Sequence, residues 1–375
     1  MKKVGKQKAM PQTLHWKTFC KFVGMKTMKQ KYVRWTVEGI LAAFVLVCRF
    51  VPDCGEWYAR TVYPSVSFVL SACTSWIPFS LEEWVVTGCV AALVLIPWAG
   101  RKKKASWRTV LRREAELLVI VWCWFYVGWG ANYFRHDFFT RSGTERAEYR
   151  ADAFGRFLRA YTDSLNKSYT ISPMPSREKL ESELKAVFAS VRPHFGLSRP
   201  RPFHHPKRVA FNGLYSGVGV LGFMGPFFSE SQLNRDLLPV EYPFTYAHEY
   251  SHLLGVSSEA EANFWAYQIC IRSDSPAVRY SGYFGLLPYV LSNARSLLPE
   301  EAYARLVSSV RPEVLDDLRE KQAHWASLYS PFVGSIQETV YSWYLKGNRI
   351  PSAQKNYAEV IGMILSLPDS LALTD

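Results

Sequence analysis

The sequence predicts a mainly α-helical protein, with three apolar helices near the N-terminus ahead of a mostly helical unit that holds a small β element. Three observations predict it. Apolar runs at about 37–52, 83–100 and 115–134 lie beside clusters of Lys and Arg. From Arg135 onward apolar residues recur at helical spacing among charged ones, as in a water-facing domain. Gly alternates with apolar residues only within Lys207 to Phe228, around Gly217-Val218-Gly219-Val220-Leu221-Gly222. The chain therefore divides into a membrane anchor, 1–134, and a second domain, 135–375.

Each run has its own signals. Residues 1 to 34 are Lys-rich without an acidic residue, and the run from Val37 to Val51 follows; Arg49, Pro52 and Asp53 stand where a cleavage site would need small residues, so it reads as an uncleaved anchor. Asp53 to Glu82 reads as a connecting segment. Ser80 followed by Glu83 is a capping box that starts the second run, which ends at Arg101-Lys102-Lys103-Lys104. Leu117 to Phe134 is almost wholly apolar or aromatic and forms the third. The N-terminus and the Arg101 to Arg113 loop are basic, whereas Asp53 to Glu82 is nearly free of Lys and Arg. That asymmetry puts the N-terminus in the cytoplasm and everything after Phe134 outside.

The formal net charge is +13, and its clustering beside apolar runs points to a bilayer. No interleaved aromatic and basic pattern, zinc-knuckle spacing or helix-turn-helix signal supports nucleic-acid binding, which is excluded as a partner. The seven cysteines show no Cys-x-x-Cys spacing, which argues against a cysteine metal site. Cys54 and Cys73 share the segment outside the cytoplasm, where a disulfide can form, although two free thiols is the favoured reading.

In the second domain, Tyr149 to Tyr169 and Ser176 to Val191 read as amphipathic helices, and prolines at 193, 200, 202 and 206 break the next stretch. Lys207 to Phe228 reads as a strand or hairpin. The remainder after about Ile271, punctuated by Pro288, Pro299, Pro312 and Pro331, reads as all-helical.

The chemistry sits in His248-Glu249-Tyr250-Ser251-His252. Pro243 ahead of it and Gly255 after it are placed as helix termini prefer. On a helix, two histidines four residues apart share one face and can hold one Zn²⁺, with Glu249 beside them as general base. A catalytic zinc takes three protein ligands. Glu259 and Glu261, on a helix opened by Ser258, are the candidates, and residues two apart point to opposite faces. Glu261 is the natural cap partner of Ser258, while Glu259 is free and has Asn263 one turn on, so Glu259 is the favoured third ligand. Tyr215, His204, His205, His324 and Tyr344 are candidates for the donor that stabilises an oxyanion.

Glu259-x-Glu261-Ala262-Asn263 resembles the third-ligand motif of membrane-bound zincin peptidases of the prenyl-protein protease and HtpX class, and of the ImmA/IrrE class. There the first Glu of the motif ligates zinc, which implies Glu259. Only six residues separate His252 from Glu259, a shorter gap than in most of them. A likeness over more of the chain rests on several segments: Tyr63-Pro64, Ile77-Pro78-Phe79-Ser80-Leu81, Trp129-Gly130-Ala131-Asn132-Tyr133-Phe134-Arg135, Gly222-Phe223, Pro226-Phe227, Pro243-Phe244-Thr245 and Tyr344-Leu345-Lys346. It is similar to the bacterial membrane family known as domain of unknown function 3810, in which Ala usually stands where Ser251 does here. That family implies a multi-pass anchor and a zincin-like domain.

The expected protein is a membrane zinc metallopeptidase of the gluzincin type in the bacterial inner membrane. It would be multi-pass, with its catalytic domain outside the cytoplasm and its substrate a polypeptide at or near the bilayer. The alternatives are a zinc hydrolase of a cell-wall or lipid-linked amide, and a catalytically silent sensor that keeps the fold. Substrate identity and oligomeric state are not legible in the sequence.

Overall fold

A computed structural model describes residues 28–147, 150–331, 334 and 353–367. The protein is mainly helical, with one two-stranded sheet among the described residues. The first apolar run lies in α1 (Met28–Phe50), the second is α4 (Leu81–Lys102), and the third is α5 (Trp107–Gly128) with a 3₁₀ turn, Gly130–Phe134. Ser80 and Ser106 cap α4 and α5 by accepting from Glu83 N and Thr109 N. Of these helices α4 is long and apolar enough to cross a membrane. α1 and α5 carry charges in their first halves, and Arg34 pairs across the two helices with Glu116 at 2.8 Å. α5 packs on both α1 and α4.

The Asp53 to Glu82 segment is more ordered than a connecting loop. α2 (Cys54–Trp57), a π-helical turn (Tyr58–Val62) and α3 (Tyr63–Thr74) form one nearly continuous helical stretch. It packs onto later parts of the chain: Tyr63 Oη donates to Leu253 O at 2.7 Å and Lys207 Nζ to Thr74 O at 2.6 Å. Cys54 and Cys73 stand at opposite ends of this stretch, about 28 Å apart at the helical rise, so they cannot form a disulfide. Cys54 Sγ lies instead 3.5 Å from Cys48 Sγ of α1.

A short helix, α6 (Phe138–Ser142), capped by Asp137, and a long one, α7 (Ala151–Ser168), lead onward. α8 (Arg177–Phe195) starts at Ser176, whose side chain accepts from Lys179 N. The Lys207 to Phe228 region is not one strand. It holds a short helix, α9 (Asn212–Ser216), and then β1 (Gly222–Gly225), which pairs antiparallel with β2 (Glu230–Leu233) beyond it. Hydrogen bonds of Val218, Gly219 and Val220 N to Tyr215 O and Ser216 O curl the glycine-rich part into a turn and leave only its end extended.

The core forms around α10 (Tyr242–Leu253) and α11 (Glu259–Cys270), which pack on each other and on α12 (Pro276–Leu297). Tyr246, Tyr250, Phe264 and Trp265 are fully buried here. Burial of a side chain such as Phe264 contributes about 1.5–3 kcal/mol. α12 runs through Pro288 instead of breaking there, whereas Pro299 and Pro312 do mark the starts of α13 (Glu300–Ser309) and α14 (Pro312–Leu328). α15 (Ala353–Ser366) packs on α11 and α12.

Carboxylates join the two parts. Glu82 accepts from Phe227 N at 3.1 Å, Glu83 from Ala210 N at 2.7 Å and Phe211 N at 3.0 Å, and Glu230 from Leu81 N at 3.0 Å. The start of α4 is thus tied to the β1–β2 hairpin. Glu83 uses its carboxylate for this junction, beyond the capping box read from the sequence.

Candidate metal centre

α10 brings His248 and His252 onto one face, with Nε2 atoms 3.2 Å apart. The chain then reverses tightly. Gly255 adopts φ 97°, a conformation that favours glycine, and Ser258 caps α11 by accepting from Glu261 N at 3.3 Å. This turn returns the first residue of α11 to the histidines, and Glu259 Oε2 lies 3.2 Å from His248 Nε2 and 3.7 Å from His252 Nε2. Glu261 points elsewhere. Its carboxylate is buried, accepts from Arg141 Nη2 and lies 3.1 Å from Trp265 Nε1.

The other nitrogen of each ring is held by an acceptor. His252 Nδ1 lies 2.8 Å from Val256 O, a carbonyl that can only accept, so Nδ1 carries the hydrogen. Asn263 donates from Nδ2 to Glu259 O at 2.9 Å, which turns its Oδ1 toward His248 Nδ1 at 2.9 Å. Both rings therefore aim Nε2 lone pairs at the point where Glu259 arrives. Two imidazoles and one carboxylate converging there fit the three-ligand set of a catalytic zinc. Although burial opposes it, Glu259 raises the His252 pKa to about 9. Although it is partly buried, Glu259 is held well below the usual carboxylate range, chiefly by His252.

Glu249, the candidate base, is buried between α10 and β1, and that burial raises its pKa. A Cβ at Gly222 would lie 2.8 Å from Glu249 Cγ, so only glycine lets β1 pass this closely. Ser251 returns its hydroxyl to His248 O at 2.7 Å and leaves no unsatisfied donor.

These groups line a cavity of 740 Å³ whose walls also include Phe125, Trp129, Tyr133, β1, Tyr289 and Lys321. Trp129 Nε1 donates to His252 O at 2.9 Å, so the end of the third apolar run holds the last turn of the histidine helix. None of the proposed oxyanion donors lines this cavity among the described residues. Tyr215 packs against Phe223, His205 lies 2.7 Å from Glu181, and His324 lies 2.6 Å from Asp236 O. His204 is buried between Ser71 and Tyr250, and Tyr344 lies outside the described residues. The side chains with donor groups that line the cavity include Tyr133, Thr245, Tyr289 and Lys321, the last 3.2 Å from Glu241. Their spacing from the histidine motif carried no signal of this. For Tyr133 and Trp129, the Trp129-Gly130-Ala131-Asn132-Tyr133 segment was the available one.

No curated protein and no solved structure matches the chain. A family model described as protein of unknown function DUF3810 matches residues 58–365, from the helical stretch before α3 to the last described helix. The chain therefore belongs to the DUF3810 family.

Proposed function

We propose that the protein is a membrane-anchored, zincin-like metallopeptidase. It would hydrolyse peptide bonds of a polypeptide at or near the bilayer, with His248, His252 and Glu259 holding Zn²⁺ and Glu249 as general base. The observation that carries this reading is the convergence of two Nε2 atoms and the Glu259 carboxylate, beside a buried Glu249, in one cavity.

The membrane part rests on surface chemistry. All but five of the exposed large hydrophobic side chains among the described residues lie between Tyr32 and Trp124. An apolar surface of this extent is stable only when covered, and a bilayer covers it. The basic ends of α1, α4 and α5 would face the cytoplasm of a bacterial cell, leaving the cavity on the outer side of a three-span anchor.

A bound zinc would acidify a water and polarise the substrate carbonyl. Glu249 then takes the water's proton on its carboxylate and returns it to the departing amine; its raised pKa suits both transfers. β1 pairs with β2 on one edge and has no second partner strand among the described residues, so its other edge can take an extended peptide in register. Phe125 and Trp129 exclude water, while Tyr133, Tyr289 or Lys321 supplies a donor to the developing oxyanion. The open strand edge supports a peptide over the cell-wall or lipid-linked amides.

The test uses full-length protein, assayed for metal content and for hydrolysis of a peptide library. The expected result is one zinc per chain, lost in Glu259→Ala, with cleavage abolished but zinc retained in Glu249→Gln. A wild type that binds no zinc, or cleavage that survives Glu249→Gln, overturns the reading.

A further inference from the structure

Cys48, in the last turn of α1, and Cys54, the first residue of α2, meet: their Sγ atoms lie 3.5 Å apart. The reversal between them is short. Pro52 follows the end of α1, Asp53 takes a left-handed φ of 65°, and Cys54 N donates to Val51 O at 3.4 Å. Both flanks are held. Arg49 lies 5.6 Å from the Phe134 ring, and a Cβ at Gly55 would lie 2.0 Å from Phe134 O, so α1 and α2 press on the same 3₁₀ turn. Glu56 accepts from His136 N at 3.2 Å and pairs with Arg135 at 3.3 Å, and Arg135 donates to Gly255 O at 2.8 Å. Cys48 is buried in a cluster with Tyr58, Tyr63 and Trp129, the last two of which hold the end of the histidine helix, while Cys54 is partly exposed.

We infer that Cys48 and Cys54 are a modification site, oxidised to a disulfide that locks the outer end of α1 to α2. The inference is independent of the peptidase reading and rests on the outer placement of this end of α1, where disulfides form and persist. The sulfurs must close from 3.5 Å to about 2 Å, a movement within the reach of side-chain rotation. Cys54, the accessible thiol, reacts first: its thiolate attacks the disulfide of an extracytoplasmic dithiol oxidant, forming a mixed disulfide and releasing one oxidant thiolate. The Cys48 thiolate, already in contact, then attacks the Cys54 sulfur and displaces the second. The two cysteine protons pass to the oxidant's thiolates, and the two electrons lost by the pair reduce its disulfide to a dithiol. Cys73, exposed at the far end of the helical stretch, stays a thiol.

The test quenches cells making the full-length protein with acid, alkylates free thiols with N-ethylmaleimide in denaturant, and maps the tryptic peptides without reductant. Cleavage after Arg34, Arg49 and Arg60 puts the two cysteines on separate peptides, 35–49 and 50–60. The expected result is that these two are recovered joined, at a mass two hydrogens below their sum, with Cys73 alkylated, and that Cys54→Ser frees Cys48 to alkylation. In purified protein a phosphine reductant should quicken amide exchange across residues 50–63 by about tenfold, and the double variant Cys48→Ser, Cys54→Ser should exchange at the reduced rate with or without it. A membrane-impermeant maleimide applied to spheroplasts reports the placement through Cys73. Recovery of Cys48 and Cys54 as alkylated thiols overturns the disulfide: with Cys73 labelled from outside the fault lies in the pair, and with Cys73 shielded it lies in the topology. A joined pair whose reduction leaves exchange unchanged overturns the lock.

Discussion

Gly222 and Glu249 touch: a Cβ on Gly222 would lie 2.8 Å from Glu249 Cγ and 3.0 Å from its Oε1. Backbone of β1 and the carboxylate of α10 thus position each other. Gly222→Ala must displace Glu249 or the strand, and a shift of about 1 Å in a catalytic group costs on the order of 100-fold in rate. The expected outcome is unchanged zinc content with kcat lowered by about 10- to 100-fold and a smaller change in KM. Steady-state kinetics beside metal analysis checks it, and a variant with wild-type kcat shows that the contact is only packing.

Glu259 and Glu261 have opposite consequences when removed. Glu261 pairs with Arg141, both side chains almost fully buried, so Glu261→Ala leaves a buried guanidinium unpaired. That costs about 3–5 kcal/mol of stability while zinc is retained. Glu259→Ala should lose zinc and disturb the metal-free fold far less, since its side chain is 39% exposed. Denaturant unfolding and metal content, measured on both variants, separate the two roles.

Asn263 sets the tautomer of His248 through a 2.9 Å contact and is itself tied to Glu259 O. Loss of such a partner weakens metal affinity by about 10- to 100-fold. Asn263→Leu should show this in competition with a chromophoric chelator, whereas Asn263→Asp, which keeps the acceptor, should stay near wild type. Equal affinity in Asn263→Leu refutes the assignment.

His204 carries a pH signature. Burial, with Lys185, Arg201 and His205 adding to it, lowers its pKa to about 3. A base held neutral in the folded state binds fewer protons than in the unfolded chain. Its contribution to stability is therefore full above about pH 6.5 and is lost as pH falls toward 3. The slope in that window is about 1.4 kcal/mol per pH unit. Chemical unfolding from pH 7 to 4 should show it in the wild type and not in His204→Gln.

The sequence by itself determined what neighbours along the chain decide. The i and i+4 histidines, Pro243 and Gly255 at the ends of their helix and the Ser258 cap are local features, and the structure has each of them where spacing and capping put it. The helical class was legible for the same reason. The Asp53 to Glu82 segment misled because its helix is stabilised by distant partners such as Leu253 and Lys207, not by capping or amphipathic spacing of its own.

Only the tertiary structure decided what reaches the site across long separations. Trp129 holds His252 O, Tyr63 holds Leu253 O, Gly222 makes room for Glu249, and Arg141 draws Glu261 away from the histidines. These relationships come from packing of whole helices, in which burial and hydrogen-bond satisfaction over more than a hundred residues outweigh any local preference.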